Sequence, residues 1–204
     1  MTRIFHAAAA AVALAVLAPL PALCAITSKD PAQVTAGRYN ADPAHTTVQA
    51  RIDHLGFSTT TVAFDKITGG FDYDPAKPEL AKLDVTVEAG ALDSGMDARD
   101  GDLKGPGFFN VAAFPTITFS STRLVPVDAT HARVEGQLTL LGVTKPVTLD
   151  VTFNGFGTGM MGDTRAGFIA TAAIQRSDFG MKTYLPAIGD KVDLLIDAEF
   201  IKQK

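Results

Sequence analysis

The sequence predicts an all-β protein: one sheet of eight antiparallel strands closed into an extended, lipocalin-like up-and-down barrel, interrupted once by a short helical and aromatic crossover. Three observations carry this. Apolar residues recur at every second position through most of residues 38–204, the period of a strand with one buried face. Short turns rich in Gly, Pro and Asp separate the candidate strands, so neighbours pair antiparallel. Several strands run 10 to 13 residues, roughly 33 to 43 Å at the usual rise, which suits a tall barrel better than a compact sandwich.

Residues 1–25 stand apart from that domain. Arg3 gives a short positive start, residues 7–20 are apolar apart from Pro19, and small residues follow around Ala22 and Ala25. This is the pattern of a secretory signal peptide, too short in its apolar core for a membrane span, with cleavage after Cys24 or Ala25. Leu23 stands where a lipoprotein signal has a small residue, so the expected product is unlipidated and periplasmic. Either cut leaves no cysteine, and stability must come from burial in place of disulfides. Without Arg3 the 18 basic residues become 17 against 22 acidic, a net of −5, which argues against nucleic acid or an anionic membrane as main partner. Residues 26–37 are small and polar and read as a flexible leader.

The first strand covers residues 46–54, where Val48, Ala50 and Ile52 alternate with Gln49, Arg51 and Asp53. The second, residues 61–73, contains Gly69-Gly70, expected at a bulge or sharp bend where a barrel closes. Asp74, Pro75 and Pro78 turn the chain into the third strand, residues 83–88. Pro115 opens the fourth, through Ile117 and Phe119 to Val125. Val134, Leu138 and Leu140 face one way in the fifth strand, with Gly136 allowing close approach. After a turn at residues 142–145 the sixth carries Val147, Leu149, Val151 and Phe153. Residues 168–174 form the seventh, and residues 192–200 the eighth, with Val192, Leu194, Ile196, Ala198 and Phe200 on one face.

Residues 97–119 break the alternation. Asp97 is placed to cap a helical turn, with Asp100 at its third position. Gly105, Pro106 and Gly107 then force a turn ahead of Phe108, Phe109 and Phe114. An irregular segment with three aromatic rings has to bury them. It is either a lid over the open end of the barrel or a crossover loop with its own aromatic cluster.

Several chemistries are excluded by context. Gly157, Gly159 and Gly162 spell a dinucleotide fingerprint, but a strand follows where a helix should open. There is no G-x-S-x-G elbow and no H-E-x-x-H pair, and no catalytic set or cofactor is expected. His45 and His54 point to opposite faces of a regular strand and cannot share a metal. Asp97 to Asp102 resembles part of a calcium loop, but the closing Glu is missing and Arg99 would repel the ion. There remain His54 beside Leu55-Gly-Phe57 and the charge pairs Arg99-Asp100 and Arg176-Ser-Asp178. These either tie loops to the barrel by ion pairs or hold the polar head of an apolar ligand.

The motifs Tyr39-Asn-Ala-Asp-Pro-Ala-His45, His54-Leu-Gly, Arg99-Asp100 with Leu103, Phe108-Phe109-Asn and Phe114-Pro-Thr-Ile-Thr-Phe119 occur in order. Residues 136–147 and Arg176-Ser-Asp-Phe-Gly180 complete the set. In this order and spacing the chain resembles the YceI-like family of secreted lipid-binding barrels. Two departures stand out: Ala63 precedes Phe64 where the family often has glycine, and the absence of Trp removes the true lipocalin signature. The resemblance implies a periplasmic barrel enclosing a polyisoprenoid or similar long-chain amphiphile.

The expected function is a carrier of such a molecule, an isoprenoid, quinone or fatty amide. Phe64, Phe71, Phe119 and Phe153 would line the lumen, Phe57 and His54 would stand at its edge, and Phe108, Phe109 and Phe114 would close over the ligand. Each buried methylene contributes about 0.8 kcal/mol, so no strong polar contact is needed. The alternatives are a barrel filled by its own side chains, a lipid-acting enzyme using His54 or Asp100 as base, and a protein-interaction module. Pairing of two copies through the last strand is also open.

Overall fold

The alternation seen in the sequence becomes eleven strands and one helix in the computed structural model, which describes residues 27–204; the signal peptide expected at residues 1–25 lies outside the described residues. In chain order the elements are β1 Gly37–Ala41, β2 Thr47–His54, β3 Ser58–Phe64, β4 Ile67–Tyr73, β5 Lys82–Glu88, β6 Leu92–Asp93, α1 Asp97–Lys104, β7 Thr116–Pro126, β8 His131–Leu140, β9 Val143–Thr158, β10 Thr164–Gln175 and β11 Ile188–Lys202. All pairings are antiparallel, in the order β1-β4-β5-β7-β8-β9-β10-β11-β2-β3-β6, and β1 also pairs with β11.

That last pairing closes the barrel. β11 meets β2 through Asp197↔Thr47 and β1 through Phe200↔Ala41, so β1 and β2 form one interrupted ribbon along a single neighbour. β3 and β4 form a second such ribbon, broken at Asp65 and Lys66. Counted this way the wall has eight ribbons, each beside its sequence neighbour, as the alternation predicted. Two details differ. The long second strand is split in two, and β1 had no counterpart in the sequence reading.

Residues 42–46 explain the break in the first ribbon. Pro43 has no N–H to give the ladder, so the chain turns out of the wall, with the His45 amide donating to the Asp42 carbonyl at 3.2 Å. Thr46 takes over the ladder: its Oγ1 donates to the Glu199 carbonyl at 2.9 Å and accepts from the Glu199 amide at 3.3 Å.

Curvature comes from Gly70, where a Cβ would lie 1.9 Å from the Tyr39 carbonyl oxygen. The strands run through this point without a register shift, so it is a tight approach and not a bulge. The β8–β9 turn is shorter than the expected residues 142–145. It uses only Leu141 (φ 53°) and Gly142 (φ 73°), the left-handed pair that matches strand twist.

The segment read as a flexible leader is packed. Ser28 pairs with Phe156, Asp30 caps a 3-10 turn at Pro31–Gln33, and Val34 is buried. Val34 covers Tyr39, whose hydroxyl donates to the Thr35 carbonyl at 2.8 Å.

A candidate ligand cavity

Because strands present alternate residues to opposite faces, the inward set of every ribbon converges on one lumen. It encloses about 520 Å³, lined almost wholly by apolar side chains. Val48, Val85, Val87, Leu138, Leu149, Leu194 and Ile196 give it an aliphatic body. Phe71, Phe153, Phe168 and Phe200 form an aromatic cluster to one side, with Tyr39 stacked on Phe71 at 4.9 Å.

The two ends of the barrel differ. One carries the β2–β3 hairpin, α1 with the aromatic segment, the β8–β9 turn and the connection from β10 to β11. Here the cavity residues Phe64, Leu140, Arg176, Met181 and Val192 are buried, and this end is the floor. The other end carries the β4–β5, β7–β8 and β9–β10 turns. There the cavity reaches Pro78, Lys82, Asp128 and His131, all exposed to water, and this end is the mouth.

Phe64, Phe71, Phe119 and Phe153 stand on the cavity wall, as the alternation implied. Of Phe108, Phe109 and Phe114, Phe109 alone reaches it, meeting Phe64 edge-on. Phe108 packs outward against Tyr184, and Phe114 lies against Gly142. The segment therefore belongs to the floor and is not a lid over the open end. Phe57 is 88% exposed at the tip of the β2–β3 hairpin, and His54 ends β2; neither lines the cavity.

Neither expected charge pair forms. Arg99 and Asp100 turn to the same residue: Arg99 donates to Ser94 Oγ at 2.8 Å and to the Ser94 carbonyl at 2.6 Å. Asp100 accepts from the Ser94 amide at 2.9 Å and from its hydroxyl, and these bonds lower its carboxyl below the usual range. The helix cap is Met96, not Asp97, and it makes no side-chain bond.

Arg176 is 2% exposed, and its bonds go to backbone carbonyls. It reaches Gly189 (2.8 Å), Met181 (3.1 Å), Thr183 (2.9 Å) and Ile188 (3.0 Å), pinning the loop that seals the floor. Burial lowers its pKa, with Asp190 nearby opposing that shift. Asp178 is exposed; Asp190 instead accepts from the Ser177 amide and hydroxyl.

The mouth polar groups were missed by the sequence reading. Asp128 accepts from the Thr130 and His131 amides at 2.8 and 2.9 Å and bonds the His131 ring at 2.8 Å, which holds its carboxyl at about 2. A second polar cluster lies on the wall at the β1–β2 break. Arg165 bonds Asp42, Asp163 (2.6 Å) and Glu199 (2.7 Å), while Asp42 also meets His45 at 2.8 Å. Asp42, His45 and Glu199 are near enough for a metal, but the Arg165 guanidinium already bonds both carboxylates.

A closed eight-ribbon barrel around one apolar cavity, sealed at one end and open at the other, defines a lipocalin-like binding barrel. The chain belongs to the YceI-like family, matching the YceI-like domain over residues 39–200. It is 41% identical over 160 residues to a UPF0312 protein of Enterobacter sp. (strain 638), covering 78% of this chain and 83% of the relative. BcnA of Burkholderia cenocepacia shares the fold with a TM-score of 0.71 at 24% identity, over 78% of this chain and 98% of that one. A polyisoprenoid binding domain from Saccharophagus degradans, implicated in plant cell wall breakdown, superposes with a TM-score of 0.59 at 18% identity, over 81% and 98% of the two chains.

Proposed function

We propose that this chain is a periplasmic carrier that takes one long-chain apolar or amphiphilic molecule, of the polyisoprenoid or quinone type, into the barrel tail first. The observation that carries this is the distribution of polarity along the cavity. Its body is hydrocarbon, and its exposed ionisable groups, Lys82, Asp128 and His131, gather at the mouth. The charged residue that lines the cavity at the floor, Arg176, spends its donors on four carbonyls and offers nothing to an anionic head. A tail therefore enters while a polar head stays at the rim. The polyisoprenoid-binding neighbour supports the same ligand class.

The role is binding without chemistry: the cavity-lining Thr130 hydroxyl lies 3.2 Å from His131 Nδ1, but that nitrogen also faces the Asp128 carboxylate at 2.8 Å, which makes it a donor there and not a base for Thr130. Extraction of the exported protein with organic solvent tests this. A stoichiometric long-chain lipid is expected; a lumen that stays empty and refuses added isoprenoid alcohols contradicts it.

A further inference from the structure

We infer that the mouth end of the barrel docks directly on a phospholipid bilayer with zwitterionic head groups; the inference rests on the cavity being a lipid site. Each of the three turns around the mouth ends in a large apolar side chain held out into water. Leu80 of the β4–β5 turn is 67% exposed, Val127 of the β7–β8 turn 58%, and Met160 and Met161 of the β9–β10 turn 96% and 89%. Turn tips favour small and polar residues, yet these four apolar side chains stand mostly in water.

The rim is continuous with the cavity. Leu80 lies between Pro78 and Ala81, and Val127 between Pro126 and Asp128, all four of them cavity-lining residues. An apolar tail leaving the lumen thus meets apolar side chains before water. Passage through bulk water would expose the whole tail, whereas a mouth pressed on a bilayer keeps it covered.

The charges select the bilayer. Lys29, Arg38, Lys77, Lys82, Lys202 and Lys204 at this end are matched by Asp30, Asp72, Asp74, Glu79, Asp84 and Asp128, so the end carries no net basic patch for anionic lipid. Four apolar tips without a basic face fit the shallow insertion of an interfacial binder into neutral head groups. The floor end also exposes Leu55, Phe57, Met96 and Tyr184, but it is sealed by Phe109 and Arg176 and offers no route to the lumen.

Co-sedimentation with phosphatidylcholine vesicles, beside vesicles containing phosphatidylglycerol, tests the docking surface. The exported protein should partition onto both, with no preference for the anionic set. The double variants Met160→Asp/Met161→Asp and Leu80→Asp/Val127→Asp should each lose partitioning by tenfold or more. Both should keep the wild-type melting temperature and the uptake of a fluorescent polyprenol from detergent micelles. Phe57→Asp should partition like the wild type. The docking inference is overturned if only Phe57→Asp loses binding, if binding requires phosphatidylglycerol, or if the wild type ignores vesicles and is retained only by a protein partner. Failure of micellar uptake in the wild type is a separate result, and it removes the lipid cavity itself.

Discussion

Phe109 meets Phe64 edge to face, with ring centroids 5.5 Å apart and planes at 75°, and this contact joins the irregular segment to the barrel wall. The same cluster takes in Val62, Leu92 and Leu103, so the crossover is part of the hydrophobic core at the floor. Phe109→Ala should destabilise the protein by about 2 to 3 kcal/mol, below the roughly 3 to 5 kcal/mol of a fully buried ring because Phe109 is only partly buried. It should also speed lipid loss. Phe108→Ala, whose ring packs outward on Tyr184, should cost less and leave retention unchanged. Urea unfolding and ligand off-rates separate the two.

Arg176 holds the loop between β10 and β11 by four carbonyl bonds. Arg176→Met leaves those acceptors without their donor, and about 3 to 5 kcal/mol of stability should be lost. Arg176→Lys should recover little, because an ammonium group cannot reproduce the planar fork. Asp178→Asn should change stability by no more than about 0.5 kcal/mol, since its side chain is exposed. Paired denaturation curves check this ranking.

The polar cluster at the β1–β2 break predicts a stability plateau with two edges. Burial pushes the Asp42 carboxyl up, but bonds from His45, the Ala44 amide and Arg165 outweigh it and hold it at about 2. Its contribution is present above its ordinary value of 3.8 and is lost as pH falls towards 2. His45 is raised from 6.5, chiefly by its bond to Asp42, so its contribution is complete below 6.5 and fades as pH rises through the folded value. His45→Ala should abolish the decline on the alkaline side while leaving an acid limb. Asp42→Asn should shrink the alkaline decline, leaving the smaller part due to Glu199, and reduce the acid limb, with Asp128 (also held at about 2), Asp100 and Asp190 accounting for what remains.

Ala170 is a small residue on the cavity wall, packed against Phe119, Val134 and Leu149. Ala170→Leu places a larger side chain in the lumen where tail atoms would lie. Lipid uptake should fall, while the melting temperature of the lipid-free protein holds or rises as the void shrinks. A fall in melting temperature with uptake intact would mean that the space at Ala170 is not where the ligand sits.

The barrel was legible because one property, alternation, runs along every strand. Val192, Leu194, Ile196, Ala198 and Phe200 face inward together, and the same parity in the other ribbons marks most of the cavity wall. β1 was not legible, because its identity as the closing strand depends on Tyr39↔Lys202 pairing between opposite ends of the domain. The partners of Arg176 were hidden for another reason. Backbone carbonyls carry no side-chain signature, and nearby Asp178 suggested an ion pair that does not form. The aromatic segment was recognised, but its place at the floor was not. Which end of a barrel is blocked is set by how the loops fold over it, and strand periodicity carries no record of that. The exposed tips at Leu80, Val127, Met160 and Met161 were the available signal for the mouth.

Native mass spectrometry of the protein, purified without detergent, tests the proposed carrier function most directly. The spectrum should show the polypeptide with one bound long-chain molecule, released on activation and identified by lipid extraction. Ala170→Leu should appear without it. Wild-type protein that flies empty, and stays empty after incubation with polyprenols, quinones and fatty amides, would contradict a lipid-carrying barrel.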